Sequence, residues 1–203
     1  MGWIAACRHL LGASLLTLML LVLPSSLGRV PAQPAGSAPA ATAPPALAEV
    51  ASAAEVASPP LHITYPAVGM DQDILPLSPT ADEDSTGSVV PPSTLEAYWL
   101  TPYGSPGPGS TNTTYIAGHS WEDRSTPFNN ISVQAKLGDQ LTLTTAKGTL
   151  SYQVTAITTE NKDTLKDSGI WAKVPGQVIL ITCYTADLWG SNIIVEASPL
   201  PAG

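Results

Sequence analysis

The chain has 203 residues, with 20 Pro and 16 Gly, and a formal charge of −8 from 16 acidic and 8 basic side chains. Two acidic and two basic residues fall in the first sixty positions, so the net charge belongs to residues 61–203, where one Arg and five Lys face fourteen carboxylates. A segment this acidic, without a Lys/Arg stripe, is excluded as a nucleic-acid binder, because phosphate neutralisation supplies most of that affinity.

The N-terminus has the composition of an export signal. Arg8 and His9 precede an apolar run from Leu10 to Leu23, closed by Pro24-Ser25-Ser26. As a helix this run spans ~21 Å at ~1.5 Å per residue, short of a hydrocarbon core of ~30 Å. That length fits a signal peptide, whereas a tilted or extended segment starting near Trp3 fits an N-terminal membrane anchor. Either assignment of residues 1–27 puts the remainder outside the cytoplasmic membrane. Residues 28–60 place Pro31, Pro34, Pro39, Pro44, Pro45, Pro59 and Pro60 among Ala and Ser. With so little apolar surface to bury, this stretch is expected to be a disordered linker in partly extended conformation.

From residue 61 the pattern changes to short apolar runs between Gly, Pro, Asn, Asp and Thr. Residues 61–198 are roughly 140 in number, enough for one well-buried core, and residues 199–203 form a C-terminal tail. Leu61-His62-Ile63-Thr64-Tyr65 alternates as a strand should and is broken by Pro66 and Gly69. Residues 74–77 make a second run, an acidic turn comes next at Asp82-Glu83-Asp84, and Ser88-Val89-Val90 reads as a further strand before Pro91-Pro92. Residues 103–109 form a Gly/Pro loop, and Thr113-Thr114-Tyr115-Ile116-Ala117 is a strong strand stopped at Gly118-His119. Residues 141–144 and 149–157 flank Ala146-Lys147-Gly148 as a hairpin, preceded by a turn at Gly138-Asp139. Residues 163–171 suggest a short helical turn. Val178-Ile179-Leu180-Ile181 is a continuous apolar run of the kind buried on both faces, it leads into Thr182-Cys183, and residues 192–197 form a last strand. Many short strands with only short helical turns predict an all-β single domain closed into a barrel.

Of the two cysteines, Cys7 lies in the leader, which leaves Cys183 as the single thiol of an exported domain and rules out an internal disulfide there. By default such a thiol is a small buried hydrophobe. Its position at the end of the most apolar strand, together with a histidine that ends another strand, is the pairing needed for acyl transfer, in which a histidine tunes the thiolate and returns a proton to the leaving group. His62, inside the first strand, reads as an ordinary surface or core residue. One Cys and one well-placed His fall short of the four ligands of structural zinc, and the acidic turns lack calcium-loop spacing, so no metal site is expected.

The segment Tyr115-Ile116-Ala117-Gly118-His119-Ser120 resembles the sortase segment in which a strand ends in Gly-His, and Ile179-Leu180-Ile181-Thr182-Cys183 is similar to the sortase signature TLxTC with Ile in place of the first Thr. Order and separation agree over about residues 61–197, and the likeness is greatest to the actinobacterial class E and F sortases. The resemblance implies a sortase-type closed β-barrel and an extracytoplasmic cysteine transpeptidase of the thiol-protease kind at the membrane or cell wall. Cys183 would attack a carbonyl in an LPxTG-like sorting motif near the C-terminus of a secreted protein, giving a thioester acyl-enzyme. An amine of a peptidoglycan precursor or a pilin lysine would resolve it, His119 would act as general acid/base, and no cofactor would be needed. Thr182 would position the substrate or its oxyanion.

One departure stands out. Sortases usually carry an arginine at the start of the last strand, and alignment on Asn192-Ile193-Ile194-Val195 places that position at about Gly190. Three substitutes present themselves: Ser191 and Asn192 as neutral donors, and Arg124 reaching in from the loop after His119. Without one, the chain would be a sortase-fold peptide-binding or structural surface module with impaired turnover.

Overall fold

The computed structural model describes residues 56–86 and 89–201. The expected leader, the linker up to residue 55, Ser88 and the last two residues of the tail lie outside the described residues. Among the described residues no helix is long and apolar enough to cross a membrane.

Eight strands close into a barrel: β1 Pro60–Tyr65, β2 Met70–Leu77, β3 Ala97–Leu100, β4 Thr114–Ala117, β5 Gln140–Thr145, β6 Gly148–Asn161, β7 Val178–Cys183 and β8 Ser191–Pro199. They are arranged in the order β1-β2-β3-β4-β7-β8-β6-β5. Closure leaves no unpaired edge. The β2–β3 and β4–β7 pairs are parallel, the other ladders antiparallel. Just before β1, the amides of Ala57 and Ser58 bond to the carbonyls of Pro108 and Pro106 at 2.7 and 3.0 Å, so this end of the expected linker is docked on the 106–108 loop.

The barrel interior is filled by alternate residues from all eight strands, among them Ile63, Met70, Ala97, Ile116, Leu143 and Val195. Strand β7 is buried at every position. Val178 and Leu180 point into the barrel, whereas Ile179 and Ile181 join Leu100, Tyr115, Leu165, Ile170 and Ile194 in a second cluster on its outer face. That outer cluster is roofed by the connection between β6 and β7, with its 3-10 turns Leu165–Asp167 and Gly169–Trp171. Tyr115 fastens the roof by donating to Ile170 O at 2.6 Å. Burial pushes this phenol up to about 12, so it remains a donor.

Four elements differ from the sequence-based expectation. Val89 and Val90 form no strand; the amide of Val90 donates to the Glu83 carboxylate at 3.1 Å, Val89 packs at the edge of the outer cluster, and both residues line a pocket beside it. The acidic turn is instead a short helix, α1 Ala81–Thr86, begun by a reciprocal pair in which Glu83 N donates to Thr80 Oγ1 and Thr80 N to the Glu83 carboxylate. Strand β3 and helix α2, Pro127–Gln134, were not foreseen. Helix α2 has poor helix formers, yet Thr126 caps it, Pro127 opens it, and Phe128 and Ile131 bury against the barrel core.

On β1 and β2, His62 stands directly opposite Asp73, and its Nδ1 lies 2.9 Å from that carboxylate, with Nε2 against Asp71. The Asp73 hydrogen bond is the largest influence raising the His62 pKa; partial burial opposes it and Asp71 adds to it. A raised histidine contributes stability that is complete below its unfolded value, ~6.5, and is lost as pH climbs through the folded value. The carboxylates are 78% and 81% exposed, so the gain is about 0.5 kcal/mol. Thermal melts should show wild type above His62→Gln at pH 6, with the gap closing as pH is raised to 9.

Candidate active site

The parallel register of β4 and β7 sets Tyr115 beside Ile179 and Ala117 beside Ile181. Carried two residues further, it brings His119 level with Cys183. The ladder continues past β4 through the bond from Gly118 N to Ile181 O at 3.2 Å. His119 and Cys183 are 5% and 7% exposed and line one pocket.

Gly118 is required here by space. A Cβ at this position would lie 2.1 Å from the Phe128 ring of α2, so only a bare backbone lets that helix close against the strand end that carries His119. Ser120 then ties the two strand ends. Its hydroxyl donates to Cys183 O at 2.8 Å, which leaves its oxygen to accept from the Thr182 hydroxyl at 3.0 Å. The Thr182 side chain is thus engaged between strands, while the residue also borders the pocket.

The pocket has a volume of about 50 Å3, with Val90, Pro91, Trp171, Lys162 and Asn192 among its walls. His119 Nε2 is 2.9 Å from Pro91 O. A carbonyl only accepts, so this bond assigns the proton to Nε2 and leaves Nδ1 of the neutral ring as the basic nitrogen. Trp171 is fixed by its Nε1 bond to Leu165 O at 2.7 Å and by its stack on Tyr103, so it serves the outer cluster and the pocket wall together. The Trp121 ring approaches His119 edge-on, at 6.0 Å between centroids.

The proposed substitutes for the missing arginine fall in different places. Arg124 makes a two-pronged bond to Asp123 at 2.8 and 2.9 Å, lies over Trp121, and borders a separate surface cleft. Ser191 donates to Asp187 at 2.7 Å. This bond is the main cause holding the Asp187 carboxyl below its usual range, with the Gly190 amide second. Asn192 does enter the pocket. It is 3% exposed, stands directly across the β7–β8 ladder from Cys183, and its Nδ2 has no hydrogen-bond partner among the described residues.

A residue absent from the sequence-based expectation completes the site. Lys162, 7% exposed, comes directly after the last residue of β6, and its Nζ lies 3.4 Å from Cys183 Sγ while also donating to Leu188 O. It sits in the polar run Glu160-Asn161-Lys162-Asp163, which reads as a solvated turn, and only the strand order reveals which way it faces.

A family model for the sortase domain matches residues 63–200. Among solved structures, sortase A of Listeria monocytogenes aligns at 19% identity and TM-score 0.53, covering 69% of this chain and 86% of its own. The complex of Streptococcus agalactiae sortase C1 with MTSET aligns at 19% and 0.51 over 70% and 67%. Sortase A of Corynebacterium diphtheriae aligns at 23% and 0.52 over 72% and 63%. At these identities the likeness concerns the fold, which is the closed barrel described above. No match is found among curated protein sequences.

The packing at Gly118 can be tested directly. Gly118→Ala should force Phe128 and α2 outward at a cost of about 1–3 kcal/mol, lowering the melting temperature by roughly 3–10 °C. Gly69→Ala, where no atom lies within 4 Å of the added carbon but φ is +66°, should show only the smaller backbone cost of about 1 kcal/mol. Differential scanning calorimetry on both variants distinguishes the two effects.

Proposed function

Since this chain belongs to the sortase family of cysteine transpeptidases, we propose that it cleaves an LPxTG-like sorting motif on secreted proteins through a Cys183 thioester and passes the acyl group to an amine. The amine would be that of a peptidoglycan precursor or a pilin lysine. The family works outside the cytoplasm, and in this reading residues 1–27 export or anchor the chain while residues 28–60 tether a catalytic domain that spans 61–198. The motifs around His119 and Cys183 favour the class E and F branch.

The observation that carries the reading is the common level of His119 and Cys183 at one barrel rim, in one pocket. The thiolate of Cys183 adds to the scissile carbonyl carbon, and the tetrahedral adduct collapses with loss of the amine. His119, protonated on both nitrogens after taking the Cys183 thiol proton at Nδ1, hands one to that leaving nitrogen. An incoming amine then adds to the thioester, gives its proton back to His119, and expels the thiolate. Thr182 and Ser120 hold the strand ends in place while this happens.

Intact-mass analysis of the full chain mixed with an LPxTG-type peptide library should show an acyl adduct on Cys183. Cys183→Ala should abolish it and leave the melting temperature nearly unchanged. His119→Ala should slow adduct formation by about 10²–10⁴-fold. A folded protein that forms no adduct, with a Cys183 that also resists alkylation, overturns the enzyme reading and leaves a peptide-binding surface module.

A further inference from the structure

We propose that Lys162 is the cationic partner of Cys183 in this chain, holding its thiolate and, together with Asn192, the oxyanion formed when the thiolate adds to a peptide carbonyl. The proposal rests on the transpeptidase reading above and names the group that does the work of the missing arginine.

Lysine is rarely buried without a reason, because its ammonium loses water that must be replaced. Here the replacement is partial and directed. Of its three N–H bonds, one goes to Leu188 O and one to Cys183 Sγ at 3.4 Å, which leaves one for an incoming group. Among the described residues no carboxylate lies within ion-pair distance of Nζ; Asp187, in the connection from β7 to β8, acts on it from further away. An ammonium this close to a buried sulfur favours the thiolate.

The backbone explains how the residue that follows β6 reaches a cysteine of β7 when β8 lies between the two strands. Lys162 N bonds to Gly190 O at 2.9 Å, one step beyond the Asn161–Ser191 pair. From this anchor at the start of β8 the lysine side chain ends 3.4 Å from Cys183 Sγ. Gly190 is the position at which the resemblance places the arginine, so the cation has moved one strand across the sheet. The absence of a Cβ at Gly190 lets Asp187 approach; an added carbon would lie 2.6 Å from its carboxylate oxygen.

The second, independent observation is Asn192. Its unpartnered Nδ2 is buried in the same pocket, directly across the ladder from Cys183. As the Cys183 C–S bond forms, the carbonyl π pair moves onto oxygen, and the third Lys162 N–H and Asn192 Nδ2 are placed to receive it. When that pair returns, the C–N bond breaks and the amine leaves with a proton from His119. The proton in these steps is carried by His119 alone, so nothing beyond peptide and amine is consumed.

The test measures Cys183 alkylation by iodoacetamide in the full chain, read at that residue by peptide mapping, as a function of pH. The titratable groups facing the sulfur are His119 from the end of β4 and Lys162 from β6, with Asp187 acting on the latter. Lys162→Met should slow alkylation at pH 7 by about 10-fold or more and peptide adduct formation by about 100-fold. Lys162→Arg should stay within about 3-fold of wild type on alkylation, since it keeps the charge. In His119→Ala the alkylation midpoint should remain below the ordinary thiol value of ~8.5. Lys162→Met alkylating like wild type, or a midpoint of ~8.5 or above in His119→Ala, overturns the proposal, and the second result decides it even if Lys162→Met does not fold. Alkylation that depends on Lys162 in a chain that forms no peptide adduct upholds the ammonium–thiolate pair and overturns the transpeptidase reading. Adducts without that dependence do the reverse.

Discussion

The parallel ladder between β4 and β7 is the constraint on which the rest of the site depends. Parallel strands run in the same direction, so both deliver their last residues to the same rim, and the register that sets Ala117 beside Ile181 determines which residues emerge together. A slip of one position would turn Cys183 and His119 to opposite faces. Register is held by burial on both sides: the inner faces of β4 and β7 pack in the barrel, the outer faces under the connection that Tyr115 fastens. Each buried Ile or Leu there contributes about 1.5–3 kcal/mol, so a slipped pairing would expose several at once. Ser120 then joins the strands beyond the ladder, where the histidine and cysteine would otherwise be free to part.

Much of this was legible before any coordinates. Strands β1, β4, β5, β7 and β8 show alternation or a doubly apolar run bounded by Gly and Pro, and the Gly-His and Thr-Cys ends mark where chemistry belongs. Strand β6 was foreseen only to residue 157, because Thr158-Thr159-Glu160-Asn161 are polar; they extend the strand by pairing with Ser191 to Ile194. Strand β3 escaped because Ala97-Tyr98-Trp99-Leu100 neither alternates nor holds a β-branched residue. Val89 and Val90 misled for the opposite reason: β-branched residues suit a strand, but they also suit an apolar wall.

Lys162 was the hardest to read. Composition treats a lysine between Asn and Asp as solvated, and nothing local contradicts that. Its burial arises from a relation between three strands, β6, β8 and β7, and from a backbone bond to Gly190, 28 positions later and just before β8. The same logic separates the charges of the domain. The net charge of −8 lies in carboxylates on turns and strand edges, whereas the pocket is bordered by His119 and Lys162 and by no Asp or Glu. An acidic protein can thus keep a cation at a buried site, with Lys162 inside and the carboxylates outside.

The tie from Ser120 to Cys183 spans 63 residues of sequence, and β7 is the next-to-last strand of the barrel. Non-local pairings of this kind form late, after the entropy of closing the intervening loop has been met. A chain growing from its N-terminus therefore carries His119 long before it can present Cys183, and even then the sulfur has no neighbouring Lys162 until β8 has paired between β6 and β7. The meeting of His119, Cys183 and Lys162 is in this way tied to closure of the barrel, and a partly folded copy holds its parts without their order.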